Sequence, residues 1–250
     1  MPEKIKNFCL VLMLLCLVEI SFGDTITAGI SDWPPWQMLD SKQCCTGIMT
    51  EILQEAATRA GIGLQLIHMP NIRRNELCWG NSVDVEMGVS PKWRKKYADV
   101  SVYTIPVFET VNVVVVKKGR FSKTDTLSTF YGSTIGTNLG YYYADGFTAV
   151  FEKGLIHRED TSKEGPLIIY KLINDRVDAI ILDKYEALYW IKNLGVERVD
   201  FEFAYEFKTI TDLRIRLHKS KEHLLPVLNE KLMDMKEDGT IQRIKEQYIK

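Results

Sequence analysis

Several short segments of this chain carry side chains suited to gripping a small molecule. Arg94, at the end of Gly88-Val89-Ser90-Pro91-Lys92-Trp93-Arg94, offers a planar fork of N–H donors that fits a carboxylate, and Gly88 permits close backbone approach. Read alone, Arg94 also fits a solvated surface charge, and Arg73, Arg74, Lys95 and Lys96 read as solvent-facing neighbours. Asp183 closes the apolar run Val177 to Leu182, with Glu186 three residues on. That spacing is a capping box for a helix start. It also puts a carboxylate at a strand end where a ligand ammonium can meet it, and one side chain can do both. Trp33-Pro34-Pro35-Trp36 is a stiff aromatic segment that serves either as a platform for a flat or cationic ligand or as a lid on the core. Gly136-Thr137-Asn138-Leu139-Gly140, before Tyr141-Tyr142-Tyr143, reads as a loop whose amides open a helix and receive an anion.

Other chemistries lack their marks. No Lys-Ser or Lys-Thr follows the second glycine of that loop and there is no GxGxxG, which disfavours a nucleotide. His68, His157, His218 and His223 are scattered, and HExxH, CxxC and GxSxG do not occur. The expectation is therefore no metal, no cofactor and no catalytic residue, although paired carboxylates from distant segments stay open.

The elements that must position these residues follow from periodicity. Thr25 to Ile30 alternates as a strand, and Ile48, Ile52, Leu53, Ala56, Ala57 and Ala60 share one helical face ending at Gly61. A strand at Leu64 to His68, a helix at Ile72 to Trp79 stopped by Gly80-Asn81, and a strand at Val83 to Val89 follow, an order that implies a parallel sheet. After the apolar run Val111 to Val116 and the basic turn Lys117 to Arg120 the order begins again. Thr134-Ile135-Gly136 echoes Thr27-Ala28-Gly29, and the helix Leu167 to Ile173 runs into Asn174 to Asp178 as the earlier helix runs into Asn81 to Asp84. A strand at Leu213 to Leu217, an amphipathic helix at Leu225 to Lys236 stopped near Gly239, and a last helix with Ile241, Ile244 and Tyr248 complete the chain. Ligands in open α/β sheets lie beyond the carboxyl ends of strands, which points to the residues after Ile30, Val89, Thr137 and Leu182.

Composition is ordinary globular, 46% hydrophobic and 26% charged, with a net charge of −1. Nucleic acid and anionic membranes call for a basic face, so the expected partner is a small molecule. Lys4 and Lys6, the apolar run Phe8 to Val18, and Ser21 and Gly23 form a signal peptide over 1–23, with the mature chain starting at Asp24. Leu15 before Cys16 argues against lipid attachment, and no later run reaches the roughly 18 apolar residues of a membrane span. Export leaves Cys44, Cys45 and Cys78 in an oxidising compartment, where one bridge from the Cys44/Cys45 pair to Cys78 and a merely buried Cys78 are both open.

The order of these marks, together with Gly47-Ile48, Leu228-Asn229-Glu230-Lys231-Leu232 and Glu237-Asp238-Gly239-Thr240-Ile241, resembles the periplasmic polar amino acid binding proteins of ABC importers. The resemblance covers nearly all of the mature chain. It implies two Rossmann-like α/β lobes joined by a two-strand hinge, the type II periplasmic binding protein fold. Lobe one would take 24–112 plus 209–250, and lobe two 113–208. It implies a periplasmic monomer that captures an amino acid or related compound for an inner-membrane ABC permease, or reports it to a separate sensor protein. The cyclohexadienyl dehydratases, enzymes on the same scaffold, are the other relatives it suggests. By position, Arg94 would bind the ligand carboxylate, Asp183 the ammonium, and Trp33, with Trp36 nearby, would pack on it. Two departures stand out: Pro91 stands where such proteins have a Thr and Tyr141 where they have a Thr or Ser, both lining the carboxylate site, and the segment from Asp84 to Arg94 is shorter by about two residues. Either Ser90 and backbone N–H groups take over that lining, or Tyr141 and the tryptophans box a different ligand; Tyr142 is counted with the expected ligand contacts.

Overall fold

A computed structural model describes residues 23–42, 44–69, 80, 82–143, 145–161, 166–194 and 201–249. The expected signal peptide up to residue 22, the helix at 72–79, Arg73, Arg74, Asn81 and Cys78 lie outside the described residues; Cys44 and Cys45 are thiols, the first exposed and the second half-buried.

The first lobe is built on β1 (Thr25–Ile30), the two-residue strands β2 (Met38–Leu39) and β3 (Cys45–Thr46), helix α1 (Ile48–Ala60), β4 (Gly63–His68) and β5 (Val85–Val89). Ile48, Met49, Ile52, Leu53, Ala56 and Ala57 recur at the helical period and are all buried, which is the apolar stripe that fixes α1 on the sheet. Gly61, left-handed at φ 66°, ends the helix by returning its N–H to Thr58 O. After β5 comes a 3-10 segment, Pro91–Val100, then β6 (Ser101–Tyr103) and β7 (Phe108–Thr110).

One residue later β8 (Asn112–Lys117) enters a second sheet, joined there by β9 (Thr134–Asn138), β10 (His157–Thr161), β11 (Ala179–Asp183) and β12 (Phe201–Glu206). Its order is β10-β9-β11-β8-β12, with β9 parallel to both neighbours and β8 antiparallel to β11 and β12. Helices α2 (Asp145–Glu152), α3 (Leu167–Ile173) and α4 (Lys184–Asn193) cover it. Val113 to Val116 are all buried because both faces are covered: Val114 and Val116 pack with Phe130 and Phe147, Val113 and Val115 with Ile168 and Ile191. The chain then returns through β13 (Thr211–His218), which closes the first sheet in the order β4-β1-β5-β13-β6, with β7 also on β13. Helices α5 (Leu225–Glu237) and α6 (Thr240–Tyr248) finish the first lobe by packing Leu228, Leu232, Met235, Ile241 and Ile244 into its core.

The sequence echo is a real contact made twice. Asp84 Oδ2 accepts the Thr27 N–H at 2.8 Å while its own N–H donates to Thr27 O at 2.9 Å; Asp178 does the same with Thr134 at 2.8 and 2.9 Å.

One expectation is corrected. Gly136 to Asn138 is not an anion-receiving loop but the end of β9, and the following helix starts at Asp145 rather than at the tyrosines. The amides are already taken: Asn138 N–H donates to the Tyr143 hydroxyl at 2.7 Å, Leu139 N–H to Thr161 O at 3.0 Å and Tyr141 N–H to Asn138 O at 3.3 Å. Gly136 is a packing glycine, since a Cβ there would meet Ile180 Cγ2 at 3.0 Å.

Candidate functional site

The carboxyl ends of β1, β5, β9 and β11 meet between the lobes around a cleft enclosing about 50 Å³. That is room for on the order of four waters. Trp33, Gly88, Trp93 and Arg94 line it from the first lobe, and Asn138, Tyr141, Tyr142, Tyr143, Asp183 and Glu186 from the second. Thr110, Asn112 and Thr211 line it where the chain crosses between sheets.

The aromatic-proline loop is held from below by α1. Pro35 O and Trp36 O accept the N–H groups of Ile48 and Met49 at 2.9 Å, so two otherwise orphaned amides of the helix start fix the loop. Gly47 is required there, because at φ 111° a Cβ would sit 2.7 Å from Trp36 O. Gln37 ties the loop to β5 by donating to Met87 O at 2.7 Å. Trp33 thus stands at the centre of an aromatic wall, its ring 6.4 Å from Tyr141 across the cleft and 6.3 Å from Trp93.

Arg94 lines the cleft with its guanidinium anchored to Glu86, Nη2 to Oε1 at 2.6 Å and Nε to Oε2 at 3.2 Å. Glu86 is fully buried and also accepts Arg216 Nη1 at 3.0 Å. Arg216, equally buried, donates to the Ser101 hydroxyl at 2.7 Å and lies over the Tyr97 ring. Burial works against the Arg94 charge, but Glu86 outweighs it and holds the guanidinium above its ordinary range.

From the second lobe come two carboxylates at the start of α4, Asp183 as its N-cap and Glu186 in its first turn. Asp183 Oδ1 caps that helix by accepting Tyr185 N–H at 2.9 Å and Glu186 N–H at 3.1 Å, and it accepts Trp36 Nε1 at 3.0 Å. Its Oδ2 accepts the Thr110 hydroxyl. Desolvation pushes this carboxyl up to about 6 even though all four donors act to lower it. Glu186 Oε2 accepts Trp33 Nε1 at 3.0 Å, and the residue is only 2% exposed.

Of the residues singled out from sequence, Trp33, Gly88, Arg94, Tyr141, Tyr142 and Asp183 line the cleft. Trp36 and Ser90 are buried and are not among the lining residues; Trp36 supports Asp183 from below, and Ser90 O accepts the Trp93 N–H at 2.9 Å. Trp93, Asn138, Tyr143 and Glu186 were not singled out as ligand contacts. Trp93 stands beside Arg94 and Glu186 one turn past Asp183, so adjacency to residues already chosen was the available signal. Among the described residues no group of His, Cys, Asp and Glu is placed to hold a metal ion, and no helix is long and apolar enough to cross a membrane.

Two α/β lobes linked by two crossing segments, with a cleft lined from both sides, define a two-lobed solute receptor of the type II periplasmic binding protein fold. The sequence matches the bacterial extracellular solute-binding proteins, family 3, over residues 26–250, and the chain belongs to that family. It is 25% identical over 239 residues to the L-cystine-binding protein TcyJ of Escherichia coli (strain K12), covering 93% of this chain and 85% of that one. Among solved structures, an ancestral arginine-binding protein bound to arginine superposes with a TM-score of 0.78 at 22% identity, covering 92% of this chain and 100% of the other. An arginine 3rd transport system periplasmic binding protein from Legionella pneumophila gives 0.74 at 18% identity, covering 90% and 99%.

Proposed function

We propose that this solute-binding protein captures an amino acid or a related small polar compound in the periplasm and presents it to an inner-membrane ABC permease. The observation that carries the reading is the opposition, across one small cleft, of the Arg94 guanidinium from lobe one and the Asp183 and Glu186 carboxylates from lobe two. That polarity suits a molecule with a carboxylate at one end and an ammonium at the other. Trp33, Gly88, Arg94, Tyr141, Tyr142 and Asp183 form the ligand's surroundings, with Trp36 and Ser90 as their support. Lobe one comprises 24–112 plus 209–250 and lobe two 113–208, and the two crossings act as the hinge on which they close. Residues 1–23 direct export, the mature protein works as a monomer, and the cleft binds without catalysis. The names of the relatives, which bind cystine or arginine, agree with an amino acid as ligand.

Thermal unfolding in the presence of the common amino acids, small amines and short peptides tests this. A true ligand at 100-fold over its Kd adds about 2.7 kcal/mol to stability, and Arg94→Ala removes that shift. A panel without a single concentration-dependent shift overturns the reading, and turnover of prephenate or arogenate by the purified protein would replace it with an enzyme.

A further inference from the structure

We propose that Tyr248 and Lys245, on one face of the C-terminal helix α6, are positioning residues for the ligand cleft: they set the loop from Trp33 to Trp36 from behind. Neither side chain lines the cleft. The inference rests on the cleft being the ligand site, and it extends that site to the last turns of the chain.

The first support is a run of hydrogen bonds. A helix start leaves its first N–H groups without internal partners, and in α1 three successive ones serve this region. Ile48 and Met49 donate to Pro35 O and Trp36 O at 2.9 Å, while Gly47 donates to the Tyr248 hydroxyl at 3.1 Å. The same hydroxyl donates to Glu51 Oε1 and lies 2.6 Å from Thr46 Oγ1, which itself donates to Glu51 Oε1 at 3.0 Å. Burial and the bond to Glu51 push the Tyr248 hydroxyl up, so it keeps its proton at neutral pH. Gly47 packs so closely on the loop that a Cβ would lie 2.7 Å from Trp36 O. The hydroxyl that fixes Gly47 therefore also fixes the end of the aromatic loop.

The second support comes from rings rather than hydrogen bonds. Lys245 stands three residues before Tyr248 and so shares its helical face. Its ammonium lies 4.8 Å from the centre of the Phe108 ring and 5.9 Å from that of Tyr185, an attraction between a cation and the π face. Those two rings hold the Trp36 ring edge-on, at 4.8 and 5.5 Å. Phe108 belongs to β7 on the first sheet and Tyr185 to α4 on the second lobe. Helix α6 thus meets both lobes where the Trp36 indole donates to Asp183, and the Lys245–Tyr185 part of the contact exists only while the lobes are together.

The test is residue-resolved hydrogen exchange by NMR on the ligand-free protein, comparing wild type with Tyr248→Phe and Lys245→Met. Tyr248→Phe keeps the ring and removes the hydroxyl, so exchange at the Gly47, Ile48 and Met49 amides is expected to quicken about tenfold. Lys245→Met keeps the apolar stem and removes the charge, so exchange at the Trp36 indole N–H is expected to quicken about threefold. Amides within β1 and β9 should keep their rates in both. Should Tyr248→Phe not fold, Glu51→Gln, which weakens the acceptor of the same hydroxyl, is read in its place with the same amides expected to quicken. Unchanged rates at the named positions in either variant overturn the proposal, as does a uniform quickening throughout the chain, which would make the two side chains ordinary contributors to stability. No ligand enters the measurement, so its failure is distinct from silence across the ligand panel, which overturns the solute-binding reading instead.

Discussion

Trp36 Nε1 of lobe one donates to Asp183 Oδ1 of lobe two at 3.0 Å, with both residues withdrawn from solvent. The strand-end acid is thus at once a helix cap and one half of a contact between lobes. A charge placed there depends on protonation.

The Asp183 carboxyl titrates near 6, pushed up by desolvation, against about 3.9 for an unfolded aspartate. Its raised value means that the folded state takes up the proton more readily. The stabilisation linked to that proton is complete below about pH 3.9 and is lost as pH rises through about 6. Asp183→Asn keeps an acceptor for the indole and the two amides and does not titrate. Wild type should therefore gain on the order of 2 kcal/mol relative to Asp183→Asn between neutral pH and about pH 4. Urea unfolding of both proteins across that range measures the difference, and parallel curves would sink the assignment.

Glu86→Gln is expected to be among the most destabilising single substitutions in the chain. It leaves Arg94 and Arg216 side by side with no carboxylate between them, and breaking a buried pair costs about 3–5 kcal/mol. Equilibrium denaturation checks this; a loss under about 1 kcal/mol would mean that the arginines are hydrated or re-paired.

Gly88→Ala should lower stability and disturb the cleft together. Gly88 has φ 67°, which costs an L-residue roughly 1–2 kcal/mol, and its new Cβ would lie 3.1 Å from Trp33 Cζ3. The expected signature is a lower urea midpoint with an unchanged slope, accompanied by altered tryptophan fluorescence.

Legibility from sequence was uneven for physical reasons. Apolar patterning is a local property, so α1 could be read from its helical spacing, and β8 overlaps the continuous apolar run Val111 to Val116. The two-lobe repeat could be read because Asp84 and Asp178 make the same backbone-coupled contact in each lobe. The Glu86–Arg216 pair was not legible, since it depends on β13 lying antiparallel to β5 in the register that sets these residues opposite each other. Glu186 was hidden by its own spacing: three residues past an N-cap is where a capping glutamate stands, and only the approach of Trp33 shows the side chain's other use. Gly136 misled because Gly-x-x-x-Gly before three tyrosines has loop composition, whereas the glycine answers the side chain of Ile180 on the neighbouring strand.

Among the described residues the lobes are bridged by two indole-to-carboxylate hydrogen bonds, Trp33 to Glu186 and Trp36 to Asp183, both at 3.0 Å. A hydrogen bond to a charged group is worth about 1.5–3 kcal/mol, comparable to the gap separating open and closed states in hinged proteins. Trp33→Phe keeps a ring against Trp93 and Tyr141 but removes one donor, so it should raise the open fraction of the ligand-free protein. Trp36→Phe should do the same through Asp183, with an added loss of global stability because the Trp36 ring packs 4.8 Å from Phe108 and 5.5 Å from Tyr185. Small-angle scattering of the ligand-free proteins reads the opening as a larger radius of gyration, and chemical denaturation separates it from loss of stability. If both variants scatter as wild type does, the indoles are packing residues and the lobes are held together by something else.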